Sequence, residues 1–144
     1  MRRSLLVCVL LSIAALALPA SASASVEQSM VDAINAARAK HGLAPVQEAP
    51  RLSRSCTAYA KRMLKSSRWA HANSNRVAGF HGVAEILART PRRTAPGPVI
   101  RMWLHSAVHR KVLLGGRYRQ VGVGTNTGRM GGKRTTVWVV RFAR

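Results

Sequence analysis

Gln120-Val121-Gly122-Val123-Gly124 and Thr135-Thr136-Val137-Trp138-Val139-Val140 are the two stretches that decide the fold. Both are short and rich in β-branched residues, with Gly128, Gly131 and Gly132 between them, so they read as the arms of a β-hairpin. The glycines at 122, 124 and 128 precede no helix and lack the spacing of a phosphate-cradling loop, which assigns them to hairpin geometry. Upstream the period changes. From Ser25 to Lys40, Met30, Ile34 and Ala37 recur at three- and four-residue steps; Ser25 is placed to cap this helix, Glu27 suits its positive end and Gly42 stops it. Pro50 opens a second helix whose apolar stripe is Leu52, Cys56, Tyr59, Ala60, Met63 and Leu64. Trp69 to Phe80 reads as irregular, Val83 to Arg89 as a short helix or a strand-to-helix transition, and Pro91, Pro96 and Pro98 as marks of a loop. A third helix is expected from Val99 to about Lys111. Helices first and an antiparallel ribbon last give an α+β class, with helices covering the sheet. No internal repeat or second domain is visible.

The 144 residues allow one ordinary domain, which excludes large multidomain enzymes. Met1-Arg2-Arg3 is a charged start, Leu5 to Leu18 an apolar run of 14 positions, and Ala22-Ser23-Ala24 a small-x-small cleavage site. Residues 1–24 are therefore expected to be a secretory signal peptide and residues 25–144 a single domain. The run is shorter than the roughly 20 apolar residues that span a bilayer, and no later run is longer, so no transmembrane helix is expected after cleavage. Cleavage removes Cys8 and leaves Cys56 alone, which excludes an internal disulfide despite an oxidising destination. Cys8 lies inside the apolar run and not at its end, where a lipoprotein would carry its cysteine. On the apolar stripe of the second helix, Cys56 reads as a core residue.

Charge is the strongest compositional signal. The chain holds 24 Lys and Arg against 4 Asp and Glu, a net charge of +20 that falls to +18 once Arg2 and Arg3 leave. After Glu85 there are 13 basic residues and no acidic one. Such a surface attracts polyanions, and export selects anionic cell-envelope polymers or lipid head groups over nucleic acid. The tryptophans sit in apolar runs or at element ends, as core anchors do, and form no spaced stacking platform. A monomer is expected.

Five histidines, His41, His71, His81, His105 and His109, offer metal-binding chemistry, with the carboxylate of Glu85 between them in sequence. Zinc takes three or four N, O or S donors, and a His-His-carboxylate set with an open position is a catalytic arrangement. His105 and His109 stand four apart on the expected third helix and there share a face; His-Ser-Ala-Val-His lacks the glutamate of a zinc-protease helix. Ser106, three residues before His109, would complete a Ser-His-Glu set with Glu85. No Gly-x-Ser-x-Gly turn surrounds it, which disfavours a hydrolase nucleophile.

Six short stretches resemble, in this order, the secreted CAP superfamily of cysteine-rich secretory, antigen 5 and pathogenesis-related 1 proteins, in its compact bacterial branch. They are Ile34-Asn35-Ala36-Ala37-Arg38-Ala39-Lys40-His41-Gly42-Leu43, Trp69-Ala70-His71, Gly82-Val83-Ala84-Glu85-Ile86, Trp103-Leu104-His105-Ser106-Ala107-Val108-His109-Arg110, Tyr118-Arg119-Gln120-Val121-Gly122-Val123-Gly124 and Val137-Trp138-Val139-Val140-Arg141-Phe142. The resemblance implies an α-β-α sandwich with a small antiparallel sheet between helices and a central cleft where His71, Glu85 and His109 hold zinc or another divalent cation. Ile86 stands where the family usually has Asn, and Ser106 about where eukaryotic members carry a second acid, so the set has one carboxylate. Family activities differ among members, and a fold does not by itself assign one. Three functions stay open: an envelope-held secreted domain whose cleft binds a metal or small ligand, a metal-assisted hydrolase, and a cationic toxin or antimicrobial acting by charge. The first is a non-enzymatic reading. His105 is expected to point to solvent.

Overall fold

The computed structural model describes residues 25–73 and 76–144; the expected signal peptide lies outside the described residues. Its elements are α1 (Val26–Ala39), β1 (Gln47–Glu48), α2 (Pro50–Ser66), β2 (Ala84–Thr90), α3 (Pro96–His105), α4 (Ala107–Leu113), β3 (Gln120–Met130) and β4 (Lys133–Ala143). Four strands lie in the order β1-β3-β4-β2, with β2–β4 and β3–β4 antiparallel and β1–β3 parallel. The sheet is thus mixed, where an antiparallel one was expected. The two residues of β1 pair with Gln120 and Val121 and carry no periodic signal of their own.

Alternation along the strands builds the three layers, because successive side chains point to opposite faces. Ile86, Ala88, Val121, Val123, Trp138, Val140 and Phe142 pack against Met30 and Ile34 of α1, Trp103 of α3 and Leu113 of α4. Leu87, Val137 and Val139 pack instead against Cys56, Tyr59, Ala60 and Met63 of α2. Burying a side chain of this size stabilises by about 1.5–3 kcal/mol. Trp103 is fully buried and its Nε1–H donates to Leu87 O at 2.9 Å, which ties α3 to the sheet.

Four local expectations change. Pro96 and Pro98, read as marks of a loop, lie in the first turn of α3, where the N–H groups have no intrahelical partner to lose. Val83 to Arg89 contains no helix; 84–90 is a strand, and because both its faces are covered its short apolar run carries no clear alternation. The third helix breaks at Ser106, whose backbone is extended at φ −98° and ψ 119° and whose hydroxyl bonds the His109 ring. A serine hydroxyl bonding locally competes with the helical ladder. His105 and His109 therefore sit on different helices. Finally, Gly122 and Gly124 serve helix packing and not the hairpin: a Cβ on Gly122 would meet the backbone of Leu52 and Ser53, and one on Gly124 that of Cys56 and Thr57. The turn itself belongs to Gly131 and Gly132, with φ of +55° and +79°, the paired left-handed conformation of a two-residue hairpin loop.

α1 starts as expected, with Ser25 Oγ accepting from Gln28 N. Its Arg38 is fully buried and donates to the carbonyls of Ala44, Leu113 and Gly115 at 3.0–3.1 Å. Burial pushes its pKa down, with Arg119 adding like-charge repulsion.

Candidate functional site

Register creates the centre of the site. Glu85 of β2 and Arg141 of β4 are direct cross-strand partners, and Gly122 of β3 is the partner of Arg141 on its other side. All three face α2. Arg141 Nε and Nη2 donate to Glu85 Oε2 at 3.0 and 2.8 Å, and Nη1 donates to Ser55 Oγ at 3.0 Å. The side chains of Glu85 and Arg141 are 1% and 7% exposed, so this is a buried ion pair with the fork of the guanidinium fully used.

The other carboxylate oxygen organises the chain after α2. Ser67, in the left-handed conformation at φ 51°, ends the helix and turns the chain back. Tyr59 O–H donates to Ala70 O at 2.8 Å, and Ala72 N–H donates to Glu85 Oε1 at 3.1 Å. Between these anchors His71 Nδ1 meets Glu85 Oε1 at 3.0 Å. An ionised carboxylate only accepts, so Nδ1 carries a proton, and in the neutral ring Nε2 is the nitrogen with the lone pair. His71 is 58% exposed, so its ring is oriented from beneath and open to solvent.

His109 approaches from the first turn of α4. Its Nδ1 and Ser106 Oγ lie 2.8 Å apart. Partial burial lowers its pKa and the neighbouring His71 lowers it further, so the two rings share one electrostatic environment. Neutral His109 is thus favoured in the folded state. Its stabilising contribution is complete above the ordinary histidine value of 6.5 and is lost as pH falls through the depressed folded value. We expect the metal-free protein to lose stability between about pH 8 and about pH 5, and His109→Gln to lose less. Urea midpoints at the two pH values check this; equal losses in both proteins contradict it.

His71 and Glu85 are in direct contact and His109 lies near enough to feel the His71 charge, but Glu85 is committed on both oxygens to His71, Ala72 and Arg141. Among the described residues no three His, Cys, Asp or Glu side chains form a metal-holding group. The carboxylate does not fit the role of a direct ligand; the two imidazoles fit a pair of nitrogen donors. Ser106 touches His109 while Glu85 touches His71, so the Ser-His-Glu set is split between two histidines. His105 is exposed with Nδ1 2.7 Å from Arg101 O, and His41 and His81 are exposed and lie outside this cluster. Ile86 points into the opposite core. Cys56 is buried, donates to Gly122 O at 3.4 Å, and burial raises its pKa to about 12, which makes it inert.

Arg141, Tyr59 and Ser55 were not singled out by the sequence reading. A signal for Arg141 was present: a charge on the strand face of Val137 and Val139 must be paired, and a chain with four acids offers few partners.

The chain matches the family described as "CAP: Cysteine-rich secretory protein family" over residues 31–142. It belongs to the CAP family. Within it, the chain is 30% identical over 116 residues to the Bacillus subtilis protein YkwD, covering 74% of this chain and 44% of the relative. It spans less than half of that protein. An outer surface protein from Borrelia burgdorferi has the same fold at a TM-score of 0.65 and 18% identity, over 80% of this chain and 89% of that one. An extracellular Bacillus anthracis protein containing an SCP domain matches at 0.67 and 21%, over 83% of this chain and 40% of that one. The CAP domain is thus shown from sequence and fold together. Among the described residues no helix is long and apolar enough to cross a membrane.

Proposed function

We propose that this CAP domain is exported and works at the cell envelope as a binding module, in which His71 and His109 hold a divalent cation such as zinc. The observation that carries the reading is that Glu85 engages His71 at Nδ1, and Ser106 engages His109 at Nδ1, so the Nε2 atom of each ring is the one left to meet a metal in its neutral, Nδ1-protonated form. Glu85 then acts from behind His71, as carboxylates commonly do behind metal-bound imidazoles. The lowered pKa of His109 keeps its ring in the unprotonated form that a metal requires. A bound divalent ion would supply Lewis acidity and a more acidic water. The surplus of basic residues supplies attraction to anionic envelope polymers or lipid head groups.

Zinc titration of the chain near neutral pH tests the metal reading. One-to-one binding is expected, abolished in His71→Ala and His109→Ala, and weakened about 10- to 100-fold in Glu85→Gln, which loosens His71 without removing a donor. Binding indifferent to both histidine changes overturns it. A metal-assisted hydrolase is the second reading, favoured by the 2.8 Å Ser106–His109 contact. It requires turnover lost in His71→Ala while envelope binding persists. A cationic toxin acting by charge requires the reverse: salt-sensitive binding, indifferent to His71.

A further inference from the structure

A groove of about 710 Å³ runs along α2 beside the 68–73 segment. Its lining includes Tyr59, Arg62, Arg68, His71 and Arg141, and no acidic residue. The four acids of the chain are Glu27, Asp32, Glu48 and Glu85. The first three lie on α1 and β1, and Glu85 is buried beneath the groove with its charge spent on Arg141. The lining thus carries uncompensated positive charge. The guanidinium carbons of Arg62 and Arg141 lie 4.7 and 5.3 Å from the centre of the Tyr59 ring, which places both on the same aromatic side chain of the groove. Arg62 and Arg68 both line the groove and are exposed, and among the described residues no hydrogen bond or ion pair engages either guanidinium, so both are available to a ligand.

We infer that this groove is a specific site for a phosphate group on a small carbon body, such as glycerol phosphate, with Arg62 and Arg68 supplying the recognising forks. Clustered guanidiniums are stabilised by an oxyanion that accepts from more than one of them, and phosphate matches their planar geometry. Ala58, Met63, Ala70 and Ala72 supply apolar lining for the carbon part. The inference rests on the envelope reading and gives it a place; the groove shares His71 with the metal reading, but the recognising arginines take no part in it.

Binding of glycerol phosphate to the full chain, followed by titration calorimetry at one ionic strength, tests it. Arg62→Gln with Arg68→Gln is expected to weaken binding at least about tenfold. Arg101→Gln with Lys111→Gln, which removes the same charge from exposed positions on α3 and α4 in the opposite layer, is expected to change it less than about twofold. Equal losses in the two double variants overturn the groove and leave envelope attraction by net charge standing. No binding by the unaltered chain overturns both for phosphate ligands. Vesicles of phosphatidylglycerol, with phosphatidylcholine as reference, separate the sources. Capture on the former that glycerol phosphate displaces identifies a lipid head group, and binding of glycerol phosphate without vesicle capture identifies a free or polymeric phosphate. Vesicle capture that glycerol phosphate never displaces overturns the groove as its seat.

Discussion

Glu85→Ala is expected to lower the unfolding free energy by about 3–5 kcal/mol, the cost of leaving a buried charge without its partner. Arg141 is then enclosed by the sheet and α2, with only Ser55 Oγ to receive its fork. Ala72 N–H loses its acceptor and His71 its orienting group, so the 70–72 segment keeps the Tyr59–Ala70 bond and the packing of Ala72 on α2 but loses its tie to the sheet. Removing the orphaned charge as well separates the two causes. Glu85→Ala with Arg141→Met should recover much of the stability, because an apolar side chain suits the neighbourhood of Tyr59 and Val139. Recovery of His71 placement is not expected. Chemical denaturation of the three proteins measures the first effect, and a loss below about 1 kcal/mol in the single variant contradicts a buried, obligatory pair.

Gly124→Ala is expected to cost about 3 kcal/mol, the upper end for overpacking, because its new methyl would overlap the backbone of Cys56 and Thr57. Backbone cannot swing aside as a side-chain end can, so the whole of α2 must lift from β3. Gly128→Ala supplies the contrast on the same strand. There the nearest atom is Leu64 Cδ1 at 3.3 Å, the far end of a flexible side chain. Its cost should stay below about 1 kcal/mol, partly offset by the restricted unfolded chain. Urea midpoints compare the two; equal costs would mean that α2 does not depend on close approach at Gly124. Displacement of α2 also carries Tyr59 and Ser55 away from Arg141, so Gly124→Ala should weaken the site as well as the fold.

Long amphipathic segments were legible because one covered face leaves a period in the sequence. The stripe of α2, with Leu52, Cys56, Tyr59 and Met63, is buried as its spacing predicts. β2 was ambiguous because both of its faces are buried, which erases alternation. The break at Ser106 was hidden because the apolar period around Trp103 continues smoothly, while the hydroxyl that bends the chain acts through one local bond to His109. His71, Glu85 and His109 were chosen from a resemblance to family motifs; His71 does touch Glu85, while His109 touches Ser106 instead, and what each atom does was not readable. The commitment of Glu85 to Arg141 spans 56 residues and exists because the strands pair in one register.

By itself, the sequence determined the α+β class, the α1 and α2 faces, the hairpin and the strong positive charge. These follow from local periodicity, turn chemistry and composition, which need no distant partner. Only the tertiary structure decided that the carboxylate serves His71 and Arg141, that His105 and His109 part company, that the glycines of β3 admit α2, and that Arg62, Arg68 and Arg141 line one groove. Each of those depends on strand register or on how closely a helix approaches the sheet, and both are set by the packing of residues far apart in the chain.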